Sequence, residues 1–93
     1  MLRRIVLDVL KPHEPSMVSF TGRLSEIDGI TGVTAKLVEM EENVRTVRVA
    51  IEGEDLDFDV IEAEISDLGG SIHSIDEVSC GEEVVEDRWT AKR

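Results

Sequence analysis

Hydrophobic residues in this chain fall into six periodic stretches, and each marks an element. Residues 2–10 alternate, with Ile5, Leu7 and Val9 on one face and Arg4, Val6 and Asp8 on the other, which predicts a strand. Pro12 and Pro15 bound the loop that follows, and proline suits a first helical position, so a helix is expected from residue 15 or 16. Its stripe is Met17, Phe20, Leu24 and Ile27, and Gly29 ends it. Gly22 interrupts that helix at about 1 kcal/mol relative to alanine, so close packing is expected there.

Strands are predicted over 32–41 and 44–52, with Glu42-Asn43 as the tight turn of a hairpin. In the later strand Val47, Val49 and Ile51 form the core face. In the earlier one Val33, Ala35 and Leu37 share a face, while Val38 and Met40 fall on the other. A strand apolar on both sides implies an outer sheet face covered by something, most simply a second copy. Asp57 then caps a helix whose stripe is Phe58, Ile61, Ile65 and Leu68, stopped by Gly69-Gly70. A last strand is expected over 71–79. Ile72 and Ile75 have opposite parity within it, which calls for a bulge or two buried sides.

The order is βαββαβ. Right-handed crossovers place both helices on one face of an antiparallel sheet of order 4-1-3-2, the ferredoxin-like α+β sandwich. Residues 1–81 make this one domain, and 82–93 form a C-terminal tail in which Val85 and Trp89 could dock as a short helical turn.

Charge sharpens the picture. Residues 49–87 hold fourteen carboxylates and no Lys or Arg, while residues 1–48 hold seven acids and seven bases. The net charge of −11 therefore resides in one block. Such a chain repels phosphate backbones and anionic membrane surfaces, so neither nucleic acid nor membrane is an expected partner. With 93 residues the core is small, which favours enlargement by self-association. One cysteine, Cys80, permits no internal disulfide and fits a reducing cytoplasm, and no apolar run is long enough to span a bilayer.

No catalytic constellation stands out, and the protein is expected not to be an enzyme. The densest chemistry is Glu54, Asp55, Asp57 and Asp59 at the start of the second helix. A hard cation such as Ca²⁺ takes roughly six to eight oxygens, and spaced carboxylates supply some of them. Asp55, Asp57 and Asp59 match the start of an EF-hand loop. The match then fails, with Val60 where glycine is needed and Ser66 where the bidentate glutamate belongs. Acids also serve a helix N-terminus simply as cap and dipole partner. A second group is Asp8, Asp76 and Glu77, brought near one another if strands one and four pair, with His13, Glu14 and His73 in the vicinity. Arg4 and Arg48 should lie on the outer face, available to Asp8 or to a neighbour's acids.

The segments IVLDVLKPHEP (5–15), DLDFD (55–59) and GGSIHSIDEV (69–78), taken together, resemble a small archaeal family of unknown function, the uncharacterised conserved archaeal region proteins. The resemblance covers about residues 2–81. It implies the ferredoxin-like fold, ring-shaped homo-oligomers and divalent-cation binding, and it implies no reaction.

Two function classes follow. One is a non-enzymatic, cation-responsive assembly module whose partner is itself. The alternative is a small-ligand regulatory module of the amino-acid-binding type, with its site at a subunit interface near Gly29-Ile30-Thr31-Gly32. The acidic block favours the first.

Overall fold

The computed structural model describes residues 1–86. Six elements follow in the expected order: β1 Leu2–Lys11, α1 Met17–Ser25, β2 Ile30–Met40, β3 Arg45–Gly53, α2 Phe58–Asp67 and β4 Ser71–Cys80. All strand pairings are antiparallel, and the sheet order β2-β3-β1-β4 is the ferredoxin-like one read from its other edge.

The core forms because period-2 and period-3.6 stripes meet on one side of the sheet. Ile5, Leu7 and Val9 of β1 and Val47, Val49 and Ile51 of β3 are buried under Phe20 and Leu24 of α1 and Ile61, Ile65 and Leu68 around α2. Ser16 caps α1, its Oγ accepting from the Ser19 N–H at 3.1 Å. Helix α1 ends at Ser25, earlier than its apolar stripe, and Ile27 reaches the core from the following turn. Gly22 has open space where a Cβ would sit, so the expected close packing there is wrong. Close packing occurs instead at Gly53, where a Cβ would overlap the Gly29 carbonyl and the Leu56 side chain.

Two departures from simple alternation, and one continuation of it, decide what faces where. In β4 two register shifts insert extra residues, so that Ile72 stands opposite Val9 and Ile75 opposite Leu7, both on the helix side. This is the bulged solution to their opposite parity. In β2 a shift between Leu37 and Glu39 returns Met40 to the helix side, opposite Arg45. The two-sided pattern of that strand is therefore a bulge, and it is not evidence of a covered outer face. In β1 the strand continues one residue past Leu10, and Lys11 keeps the inward parity of Val9. Lys11 is fully buried, its Nζ donating to the Pro12 carbonyl at 2.8 Å and lying 6.0 Å from the Phe20 ring centre.

Residues 81–86 have no regular structure. The chain leaves β4 beside the start of β1, where the Gly81 N–H donates to the Met1 carbonyl and Arg3 donates to the Glu82 carbonyl. Val85 is exposed, and Trp89, its expected helical partner, lies outside the described residues. No helix among the described residues is long and apolar enough to cross a membrane.

Candidate functional site

Glu54, Asp55, Asp57 and Asp59 occupy the connection from β3 into α2. The chain turns there because Gly53 must pass the Gly29 carbonyl and Leu56 folds inward, its N–H donating to the Leu2 carbonyl at 2.8 Å. Leu56 is buried, which leaves the alternate residues Asp55 and Asp57 on the outside. Asp57 is the N-cap of α2: its Oδ1 accepts from the Asp59 N–H at 3.1 Å and the Val60 N–H at 3.3 Å. Asp59 lies in the first turn, where a negative charge complements the helix dipole. Residues 55–59 and Leu2 border an open hollow of about 390 Å³.

This arrangement makes a good helix start and an incomplete ion cage. Among the described residues no three Asp, Glu, His or Cys side chains converge as a metal would require. One Asp57 oxygen is already committed to the cap, so any cation held here needs oxygens from outside this set.

The second group lies across β1 and β4, with the outer-face arginines among its carboxylates. Strands β1 and β4 do pair, and Asp8 stands opposite Ser74. Asp8 and Asp76 both meet Arg48, at 3.3 and 3.8 Å. Glu77 belongs to Arg4 at 2.8 Å, and Arg4 also binds Glu52. Two arginines thus each bridge two carboxylates on the open sheet face and offset half of their charge. Hydrogen bonds to Glu77 and then Glu52 hold the Arg4 guanidinium above its ordinary pKa, so it stays charged. These carboxylates are paired with cations from the same chain, not gathered around a vacant centre. His13 and His73 join no ligand group among the described residues.

Sequence reasoning missed the role of Lys11. Burial, and then the neighbouring Arg45 charge, push its pKa below the ordinary value, with Glu14 opposing. The signal was available: Lys11 continues the inward parity of Ile5, Leu7 and Val9. Arg45 stands directly opposite Lys11, and among the described residues its buried Nε has no hydrogen-bond partner.

The open face also carries a basin of about 410 Å³. Its floor is Val6, only 8% exposed although it faces away from the helices, with Ala50 and Thr34 beside it. Arg4, Arg48, Lys36, Asp76 and Glu77 form its walls.

The chain matches the model of the DUF211 family, described as uncharacterized ArCR, over residues 3–93. The match therefore runs into the tail, beyond the segments that carried the resemblance. It is also similar to the uncharacterized protein MJ0319 of Methanocaldococcus jannaschii, 46% identical over 86 residues, which are 92% of this chain and 89% of that one. The motif segments, the βαββαβ order and both matches agree, and the chain belongs to the DUF211 family of uncharacterized proteins.

Proposed function

We propose that this protein is a non-enzymatic assembly module, a subunit of a closed homo-oligomeric ring that takes up divalent cations on its acidic surface. The observation that carries the reading is the state of the two sheet edges. Strands β2 and β4 are both unpartnered on their outer sides. Each carries exposed apolar side chains: Leu37, Val38 and Met40 at 47, 52 and 61% on β2, and Ile75 and Val78 at 51 and 57% on β4. Long apolar edges are a liability unless something pairs with them.

The two edges lie at opposite ends of the sheet, so joining β2 of one copy to β4 of the next is a head-to-tail contact. Such contacts close into rings or continue as filaments. Charge supports the pairing. Strand β2 has one base and one acid, Lys36 and Glu39, whereas β4 has Asp76 and Glu77 and no Lys or Arg. Cations enter as a consequence of assembly. Asp55 and Asp59, with Glu54 and the free oxygen of Asp57, offer an incomplete set of oxygens that water or a neighbouring copy completes.

Light scattering on the purified chain tests this. The expected mass is an integral multiple of the 10.3 kDa subunit, and Leu37→Lys or Val78→Lys lowers it. A wild-type monomer at micromolar concentration and moderate salt refutes the proposal.

A further inference from the structure

Lys36 and Arg48 stand directly opposite each other across β2 and β3 on the open sheet face. Like charges in that relation destabilise a sheet unless something lies between them. Arg48 is partly compensated by Asp8 and Asp76 at 3.3 and 3.8 Å, contacts that leave its remaining N–H groups available. Among the described residues Lys36 has no carboxylate within ion-pair reach. Lys36 is thus the one cation of this face, among the described residues, whose charge no carboxylate offsets at ion-pair distance.

The registers extend the pair into a site. Lys36, Arg48, Asp8 and Ser74 form one row across the four strands. The next row is Thr34, Ala50, Val6 and Glu77, and beyond it Glu52 and Arg4 face each other. Rows on one face are two residues apart, about 7 Å, and strands are about 4.8 Å apart. The middle row is therefore a shallow trough of small and apolar side chains. It runs about 10 Å from Thr34 to Val6, flanked by charge on both sides and closed by Glu77.

We infer that this trough binds a small organic monocarboxylate with a short aliphatic body. The carboxylate lies between Lys36 Nζ and the outward N–H groups of Arg48, and the body lies over Thr34, Ala50 and Val6. A guanidinium presents parallel N–H donors that match a carboxylate's two oxygens. Val6 and Ala50 give an aliphatic chain apolar surface to cover. The adjacent Asp76 and Glu77 disfavour a doubly charged anion such as phosphate. The site lies on the open sheet face, away from the acidic turn before α2. Thr34 and Lys36 belong to the edge strand β2 but face away from Leu37 and Met40, so binding is read on the single chain whether or not the ring forms.

Amide NMR titration of the full chain with butanoate, against chloride and inorganic phosphate at equal ionic strength, tests it. The expected result is saturable shifts centred on Thr34–Lys36, Arg48–Ala50 and Val6 with butanoate alone. Lys36→Gln, an exposed change, should weaken binding about tenfold through loss of one charge-assisted hydrogen bond. Ala50→Leu, which fills the trough and leaves both cations, should also weaken it. The inference is overturned if butanoate produces no saturable shift, if phosphate shifts the same amides with equal affinity, or if Lys36→Gln binds butanoate as wild type does.

Discussion

Met40 stands directly opposite Arg45, on the face that carries Val47 and the buried Lys11. Simple alternation from Leu37 puts Met40 on the open face, and the bulge at Val38 reverses that. A substitution at Met40 therefore probes the helix side of the β2 edge and leaves the open face untouched. Met40→Glu and Leu37→Lys should act in the same direction, each lowering the mass measured by light scattering. Lys36→Gln, on the other face of the same strand, should leave the mass unchanged. Equal loss of assembly in all three would move the contact to the open face.

Asp57 is both cap and candidate ligand, and substitution can separate the two. Asn caps nearly as well as Asp, so Asp55→Asn/Asp57→Asn should fold with helix α2 intact. Wild type should gain melting temperature and mass with Ca²⁺ beyond any effect of matched ionic strength. A ligand at a hundredfold excess over its Kd is worth about 2.7 kcal/mol. The double variant should lose that response. If it responds fully, Asp8, Asp76 and Glu77 are the next carboxylates to vary, provided that Arg48 and Arg4 can release them.

Lys11 ties stability to alkaline pH. Its pKa is lowered in the folded state by burial and by Arg45, so the unfolded chain holds the proton more tightly. Stability contributed at this position is thus depressed while Lys11 is charged. It recovers as pH rises through the lowered value towards the ordinary 10.5. The difference in unfolding free energy between wild type and Lys11→Met should shift in favour of wild type across that window. A difference independent of pH up to 10.5 would show that the ammonium is as well solvated folded as unfolded.

Fourteen carboxylates without an interspersed base repel one another in residues 49–87, and the five ion pairs of the described residues relieve only part of this. Screening should therefore stabilise the fold. The melting temperature should rise from low to moderate NaCl, and a fall would mean that attraction within the ion pairs outweighs the repulsion.

Gly53→Ala should be among the most damaging small changes, because the added methyl meets the Gly29 carbonyl and Leu56 with no room to move. Overpacking of this kind costs about 1–3 kcal/mol. Gly22→Ala, facing open space in the middle of α1, should instead stabilise by roughly 0.5–1 kcal/mol. Urea unfolding of both variants checks the pair, and equal effects would contradict the packing described.

Periodicity determined the six elements and their order, and with right-handed crossovers the sheet order, because stripes from Ile5-Leu7-Val9 to Ile61-Ile65-Leu68 are then buried together on one side of the sheet. It also determined that the negative charge lies in the second half and that Asp57 begins a helix. Tertiary structure decided what local pattern leaves undefined. A bulge is a property of two paired strands, so whether Met40 faces in or out depended on how β2 registers with β3. The close approach at Gly53 arises between segments distant in sequence, while Gly22, the glycine that looked constrained, is free. That Arg4 and Arg48 belong to the outer face was legible in the sequence, but which of Asp8, Asp76 and Glu77 each arginine meets depended on the registers of β1 with β3 and β4. The opposition of Lys36 and Arg48 exists only once β2 and β3 are zipped in their actual register, since residues twelve apart in the chain meet through that pairing alone.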